Sequence, residues 1–206
     1  MPDVIISFTG EPGSAVVPDG AVAVQEFEQS TIDPNHELSL GTYLSIAEVA
    51  GNAPTPEGTW RFTPRPRGAA ADEVAGPDPD GPMAERALLV VLTNAVPGKA
   101  DDFNAWYDDV HLGDVVKKMG GFTAARRFDR VGEGPWGYLA LYEIDGGNVE
   151  HAIERIVWGR AERVEAEAAG REPQVPISPA MEEDRLSFFY SARTARTAPA
   201  ALAATA

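Results

Sequence analysis

The chain has no cysteine, which excludes disulfides, Cys-ligated zinc, iron–sulfur clusters and thiolate catalysis together. Histidine is scarce. The three present, His36, His111 and His151, show no HxH or HxxxH spacing, so no protein-bound metal is expected. No segment approaches the roughly 20 apolar residues that span a bilayer as a helix, and Met-Pro-Asp-Val-Ile-Ile lacks the regions of a signal peptide. Basic residues are the minority charge, with 17 Lys and Arg against 32 Asp and Glu and a formal net charge of −15. Such a surface repels phosphate backbones and anionic lipid, so neither nucleic-acid nor membrane partners are expected. No Gly-rich phosphate loop follows a strand, which disfavours nucleotide cofactors, and there is no GxSxG nucleophile. A soluble, cytoplasmic protein is the default expectation.

What the sequence does contain is a series of short strands. Residues 3–9 are β-branched and bounded by Gly10 and Pro12, residues 22–28 form a second such run, and residues 42–49 a third closed by Gly51. Residues 30–40 read as loop, since Pro34 biases Asp33 away from helix. Residues 1–51 are therefore a β-rich N-terminal half. Seven prolines then punctuate residues 52–83, which read as a connection interrupted only by a short strand at Thr59-Trp-Arg-Phe62.

From residue 84 the pattern is cleaner. Ala87–Thr93 is a continuous apolar run, as a strand buried on both faces requires. Asp101 and Asp102 sit favourably in the first turn of a helix that runs to about Met119 and stops before Gly120-Gly121. Strands at 122–129 and 138–144 follow. Asn148 is a candidate N-cap for a helix over 149–168, whose apolar positions Val149, Ile153, Ile156, Val157 and Val164 share one face. Residues 185–190 form the last strand, and the Ala/Thr/Pro-rich tail from 193 is expected to be disordered. The order strand–helix–strand–strand–helix–strand over 84–192 is that of an α+β, ferredoxin-like unit, with an antiparallel sheet and both helices on one face. Its other face must be covered. The expectation is a homodimer whose second copy covers that face, with a monomer as the alternative if the N-terminal half covers it.

Tyr43-Leu-Ser-Ile-Ala-Glu-Val-Ala-Gly51 and Tyr138-Leu-Ala-Leu-Tyr-Glu-Ile-Asp-Gly146 share Tyr, Leu, Glu and Gly at the same offset. The N-terminal half thus reads as a possible degenerate repeat. It is reduced, since about a dozen residues separate its first two strands, too few for a comparable helix at ~1.5 Å rise per residue.

On a wheel of about 100° per residue, Phe103, Trp106, Tyr107, Val110, His111 and Asp114 fall within about 140°. Val115, Val116 and Met119 fall outside, which predicts a break or rotation near Gly113. His111 therefore stands at the edge of the core-facing stripe beside Tyr107 and Asp114. An imidazole titrating near neutrality suits general acid–base work. The structural alternative is a helix-end histidine bonded to a carbonyl or to Asp114. Asp108 and Asp109 are expected in solvent. Tyr138 and Tyr142 share a strand face with small Ala140 between them, which leaves room for a ligand or for a neighbouring side chain. Arg126 and Arg127 face opposite ways, so only one of them can meet an anionic group. Trp106 stands beside the site, as a substrate contact or as packing.

Trp106-Tyr-Asp-Asp-Val-His-Leu-Gly-Asp-Val115, with Gly121-Phe122 and Ala125-Arg-Arg-Phe128, resembles the dimeric α/β barrel superfamily, in particular its EthD-like and stress-responsive branches, over roughly residues 86–192. Members often place a His four residues after a Tyr, followed by a helix break; Gly113 stands here where many have proline. The superfamily spans cofactor-free monooxygenases, cyclases, isomerases, haem-binding enzymes and proteins without known activity. The expectation is an enzyme without cofactor, with His111, Asp114 and Tyr107 catalytic and Trp106, Tyr138, Tyr142 and Arg126 contacting an apolar, aromatic or polyketide-like substrate. A non-catalytic binding protein and a haem protein ligated by His111 are the alternatives.

Overall fold

The computed structural model describes residues 2–196 apart from 15, 39, 67, 75 and 77–86. Part of the expected connection, 77–83, and the tail from 197 lie outside the described residues. Eight strands, β1 (Asp3–Thr9), β2 (Ala21–Gln29), β3 (Tyr43–Val49), β4 (Trp60–Pro64), β5 (Ala87–Thr93), β6 (Phe122–Val131), β7 (Tyr138–Ile144) and β8 (Leu186–Ala192), lie close to where alternation and turn residues place them. They close into one antiparallel barrel in the order β1-β3-β2-β8-β5-β7-β6-β4. The strand around Trp60 is thus a barrel strand, and the first half extends beyond residue 51.

The two halves mirror one another. Each has its strands in the same relative order, β4-β1-β3-β2 and β8-β5-β7-β6. Each second strand slips register at its start, between Ala21 and Ala23 and between Phe122 and Ala124. Thr9 stands opposite Tyr43 in the first half, as Thr93 stands opposite Tyr138 in the second. The last strand of each half joins the other: β4 pairs with β6, and β8 with β2.

Two apolar layers follow from this closure. All seven residues of β5 are buried, because Leu88, Val90 and Leu92 face the barrel interior while Ala87, Leu89 and Val91 face the helices. Phe27 and Phe62 from the first half meet Phe128 and Phe188 from the second inside the barrel. The sheet face whose exposure argued for a second copy is therefore covered within the chain. The tail begins ordered, since the backbone N–H groups of Arg193 and Thr194 donate to the Glu26 carbonyl and Arg196 pairs with Glu48.

Among the described residues, three helices cover the outer face of the second half. The short α1 (Ala69–Glu73) falls in the proline-rich stretch, where sequence reading placed only a connection. Helix α2 covers residues 100–119, and α3 is Val149–Ala168. The Asn148 side chain caps α3 as expected, accepting from the His151 N–H at 3.0 Å, a contact worth about 1 kcal/mol. Gly159 lets α2 and α3 approach closely, since a Cβ there would lie 2.8 Å from Met119 Cε. Val157 and Val164, expected on the buried face of α3, are exposed. No helix among the described residues is long and apolar enough to cross a membrane.

Candidate functional site

Helix α2 does not break at Gly113. It runs on as α-helix Ala100–Trp106, π-helix Tyr107–His111, α-helix Leu112–Asp114 and π-helix Val115–Met119. In the first π turn the Leu112 N–H donates to the Tyr107 carbonyl, five residues back. Such turns fit extra residues into the helix and shift its side chains off the α-helical spacing. That shift is the physical reason the wheel misplaces several residues. Val110 is 40% exposed, whereas Val115, Met119 and Asp108 are buried. Gly113 sits inside the helix beside α1, where a Cβ would be 3.4 Å from Ala70 Cβ, at van der Waals contact.

Asp108 is not in solvent. Its carboxylate accepts from Arg127 Nη1 at 2.6 Å and Arg65 Nε at 2.7 Å. Arg127 also donates to Asn104 Oδ1 at 3.0 Å, and its guanidinium lies 4.1 Å from the centre of the Tyr107 ring. A buried, charge-paired arginine thus fixes Tyr107 from the strand side.

Tyr107 in turn meets Tyr142 of β7. The Tyr142 hydroxyl donates to the Tyr107 hydroxyl at 3.0 Å, and both side chains are buried. The pair shares a single internal hydrogen bond, so one O–H remains free for a ligand. Burial raises both phenols above their ordinary range, Tyr142 furthest, which keeps them protonated and donating.

His111 stands next to this pair. Its ring stacks on Trp106 at 4.5 Å and meets the Tyr107 ring edge-on at 4.9 Å. Nδ1 is buried without a hydrogen bond. Burial first, then the charges of Arg163, Arg127 and Arg185, lower its pKa to about 3, with the Pro176 carbonyl working the other way. The imidazole is therefore neutral at physiological pH, not poised near neutrality.

Tyr107, His111 and Tyr142 line one cavity between the outer face of the sheet and α2 and α3. Its empty space is about 830 Å³, open solvent at its mouth included. Leu89, Val91, Met119, Ile156 and Phe189 form apolar walls. The loop after β2 supplies Pro34 and Asn35, so the N-terminal half contributes to the site as well. Asp33 fixes that loop, accepting from the Phe189 N–H at 2.9 Å, and Asn35 Nδ2 donates to the Ser187 carbonyl at 2.9 Å.

The other candidates lie elsewhere. Asp114 forms an ion pair with Lys118 at 2.8 Å and has no hydrogen bond to His111. Trp106 backs His111 without lining the cavity, and its Nε1 is buried without a partner. Tyr138 packs on Phe103 at 4.8 Å, with its hydroxyl 3.4 Å from Asn104 Nδ2. Arg126 lies on the barrel-interior side of β6, in a different pocket with Gln25 and Phe128. Opposed orientation of Arg126 and Arg127 is thus present, but neither enters the His111 cavity. Arg160, Arg163 and Arg185, which do line it, escaped sequence reading. Their signal was the spacing of Ile153, Ile156, Arg160 and Arg163, one stripe whose outer half is basic. Among the described residues no cluster of His, Asp and Glu has the arrangement of a metal site.

No protein-family model matches the sequence, and no curated protein matches it. The crystal structure of an anthrone oxidase-like protein matches with a TM-score of 0.54 at 10% identity, covering 95% of this chain and 92% of that one. The two chains share a barrel-type fold. At that identity the likeness is one of fold, and it spans both halves of the barrel.

Proposed function

We propose that this chain is a cofactor-independent enzyme that moves protons on a small aromatic or polyketide-like molecule held between the sheet and α2 and α3. The observation that carries the reading is the Tyr107–Tyr142 hydroxyl pair, 3.0 Å apart, beside a neutral His111 in one largely apolar cavity. A neutral imidazole is the form that accepts a proton, and the anion formed beside it offsets the burial that lowers its basicity. His111 takes one from an acidic C–H or O–H of the ligand, and the free hydroxyl of the tyrosine pair donates to the resulting oxyanion. Donors already in place in a water-poor site stabilise developing charge effectively. Cyclisation, elimination, isomerisation and oxygenation can all proceed from such an anion. Asp114 takes no part, being committed to Lys118. Trp106 holds the His111 ring, while Tyr138 and Arg126 are not substrate contacts.

The finer family placement belongs to the same proposal. Shared strand order, bulge position and Thr–Tyr pairing support residues 84–192 as a ferredoxin-like unit and the N-terminal half as its reduced repeat, while the EthD-like or stress-responsive branch rests on the sequence motif around His111. The name of the structural neighbour suggests an anthrone as the first probe. Its acidic CH2 would become C=O with dioxygen as oxidant, the second oxygen leaving as water. The test is aerobic incubation of purified protein with 1,8-dihydroxyanthrone and no added cofactor, following oxygen uptake and the quinone chromophore. Turnover above the uncatalysed rate supports the reading. Binding without turnover across anthrones, naphthols and linear polyketide mimics favours the second reading, a ligand-carrying protein, for which the lack of a carboxylate orienting His111 speaks. A Soret band in the protein as purified would replace both with a haem protein.

A further inference from the structure

From the arrangement of Arg160, Arg163 and Arg185 we infer that the ligand carries a carboxylate, bound at the mouth of the cavity while its aromatic body fills the apolar interior. This rests on the proposed reading of the cavity as a small-molecule site and adds the chemical class of the ligand.

The three arginines come from two elements. Arg160 and Arg163 continue the Ile153–Ile156 stripe of α3, and Arg185 precedes β8. All three line the His111 cavity. Arg160 and Arg185, with Asn35 and Ser187, also line a shallower adjoining pocket. They therefore mark the junction between the interior and the outside. Among the described residues none of the three forms an ion pair. Arg163 makes one long contact, 3.4 Å from Nη1 to the Val175 carbonyl. The nearest buried carboxylate, Glu162, is already taken by Arg171 at 2.6 Å and the Gln174 N–H at 3.0 Å. Glu183 is exposed at the rim of the outer pocket.

Three guanidinium groups at the end of an apolar cavity repel one another until an anion arrives. Partial burial, then this mutual repulsion, lowers the pKa of Arg163 and Arg185. A guanidinium presents parallel N–H donors that match the two oxygens of a carboxylate. The other polar groups in the cavity, apart from Asn35 and Ser187 near the arginines, are the tyrosine hydroxyls and a neutral imidazole. The polarity of the site thus gives a ligand one orientation: carboxylate outward at the arginines, reacting ring inward at His111. In a chain with a net charge of −15, this concentration of basic side chains also draws an acidic ligand toward the entrance.

The experiment compares anthracene-9-carboxylate with its neutral isostere anthracene-9-carboxamide, by fluorescence titration and calorimetry at low and high salt. The expected result is at least tenfold tighter binding of the carboxylate, reduced by salt. Arg163→Met and Arg185→Met, each confirmed folded by circular dichroism, should erase that preference and leave carboxamide affinity unchanged. Arg185 is the more exposed of the two, so its variant keeps the test valid should Arg163→Met lose packing. Equal affinity for acid and amide, or a preference that survives both substitutions, would overturn the inference while the cavity reading stands. Absence of binding by either compound would remove both.

Discussion

The hydroxyls of Tyr107 on α2 and Tyr142 on β7 stand 3.0 Å apart, and this hydrogen bond is what joins the helix chemistry to the sheet. Both side chains are buried. Removing one leaves the other without its partner, and a buried hydroxyl left alone costs roughly 1–3 kcal/mol. Tyr107→Phe should therefore lower unfolding stability by about that much, read as a shift of the urea midpoint at constant slope. A neutral effect would mean that the pair is hydrated rather than closed.

The basicity of His111 sets a second expectation. Its folded pKa, about 3, lies below the ordinary value of 6.5. Between those values the unfolded chain binds a proton that the folded chain does not, so stability rises with pH across that window and the contribution is lost as pH falls through it. The slope from one such group is at most about 1.4 kcal/mol per pH unit. Carboxylates add slopes of their own, so the readout is the difference between wild type and His111→Gln. The variant should lose less stability from pH 6.5 toward acid. Parallel curves would show that the imidazole is hydrated in the folded state.

Asp108 holds Arg127, which is almost completely buried and lies against the Tyr107 ring. Asp108→Asn keeps the shape and removes the charge. Leaving a buried guanidinium uncompensated is expected to cost about 3–5 kcal/mol. Arg65 retains Asp129 in the variant, so the loss should appear as global destabilisation in a thermal melt rather than as release of Arg65. A change below about 1 kcal/mol would show that the pair is solvated.

Gly113 offers a test of helix continuity. It lies inside α2 beside α1, and an added Cβ would meet only Ala70 Cβ at 3.4 Å. Gly113→Ala should stabilise the protein by roughly 0.5–1 kcal/mol, the helix-interior difference between the two residues. A destabilised variant would point instead to a break at this position.

Much of the fold could be read from local patterns. The unbroken apolar run of β5 announced a strand buried on both faces, and the Asn148 cap gave the start of α3. Tyr142 was legible from its alternation with Ala140, and His111 from its place beside Tyr107. Barrel closure was not, because β4 and β8 are paired across the halves by contacts remote in sequence, and β4 lies among prolines. The π turns of α2 leave no mark in composition, which is why Asp108 was expected in solvent and Asp114 beside His111. A short alanine run, Ala69–Ala71, was the one trace of α1. Arg160 and Arg163 sat at the spacing of the cavity-facing stripe, but a charged continuation of an apolar stripe reads as solvated face until the helix is seen to pass over an opening.

The central claim is that His111 moves the proton. The direct measurement is turnover of 1,8-dihydroxyanthrone, or of whichever substrate the screen returns, by His111→Gln whose fold is verified by its far-ultraviolet spectrum and melting curve. The predicted result is a fall in kcat of about 10²–10⁴-fold with KM little changed. Full activity in the folded variant would contradict the account and leave the cavity to the tyrosine pair alone.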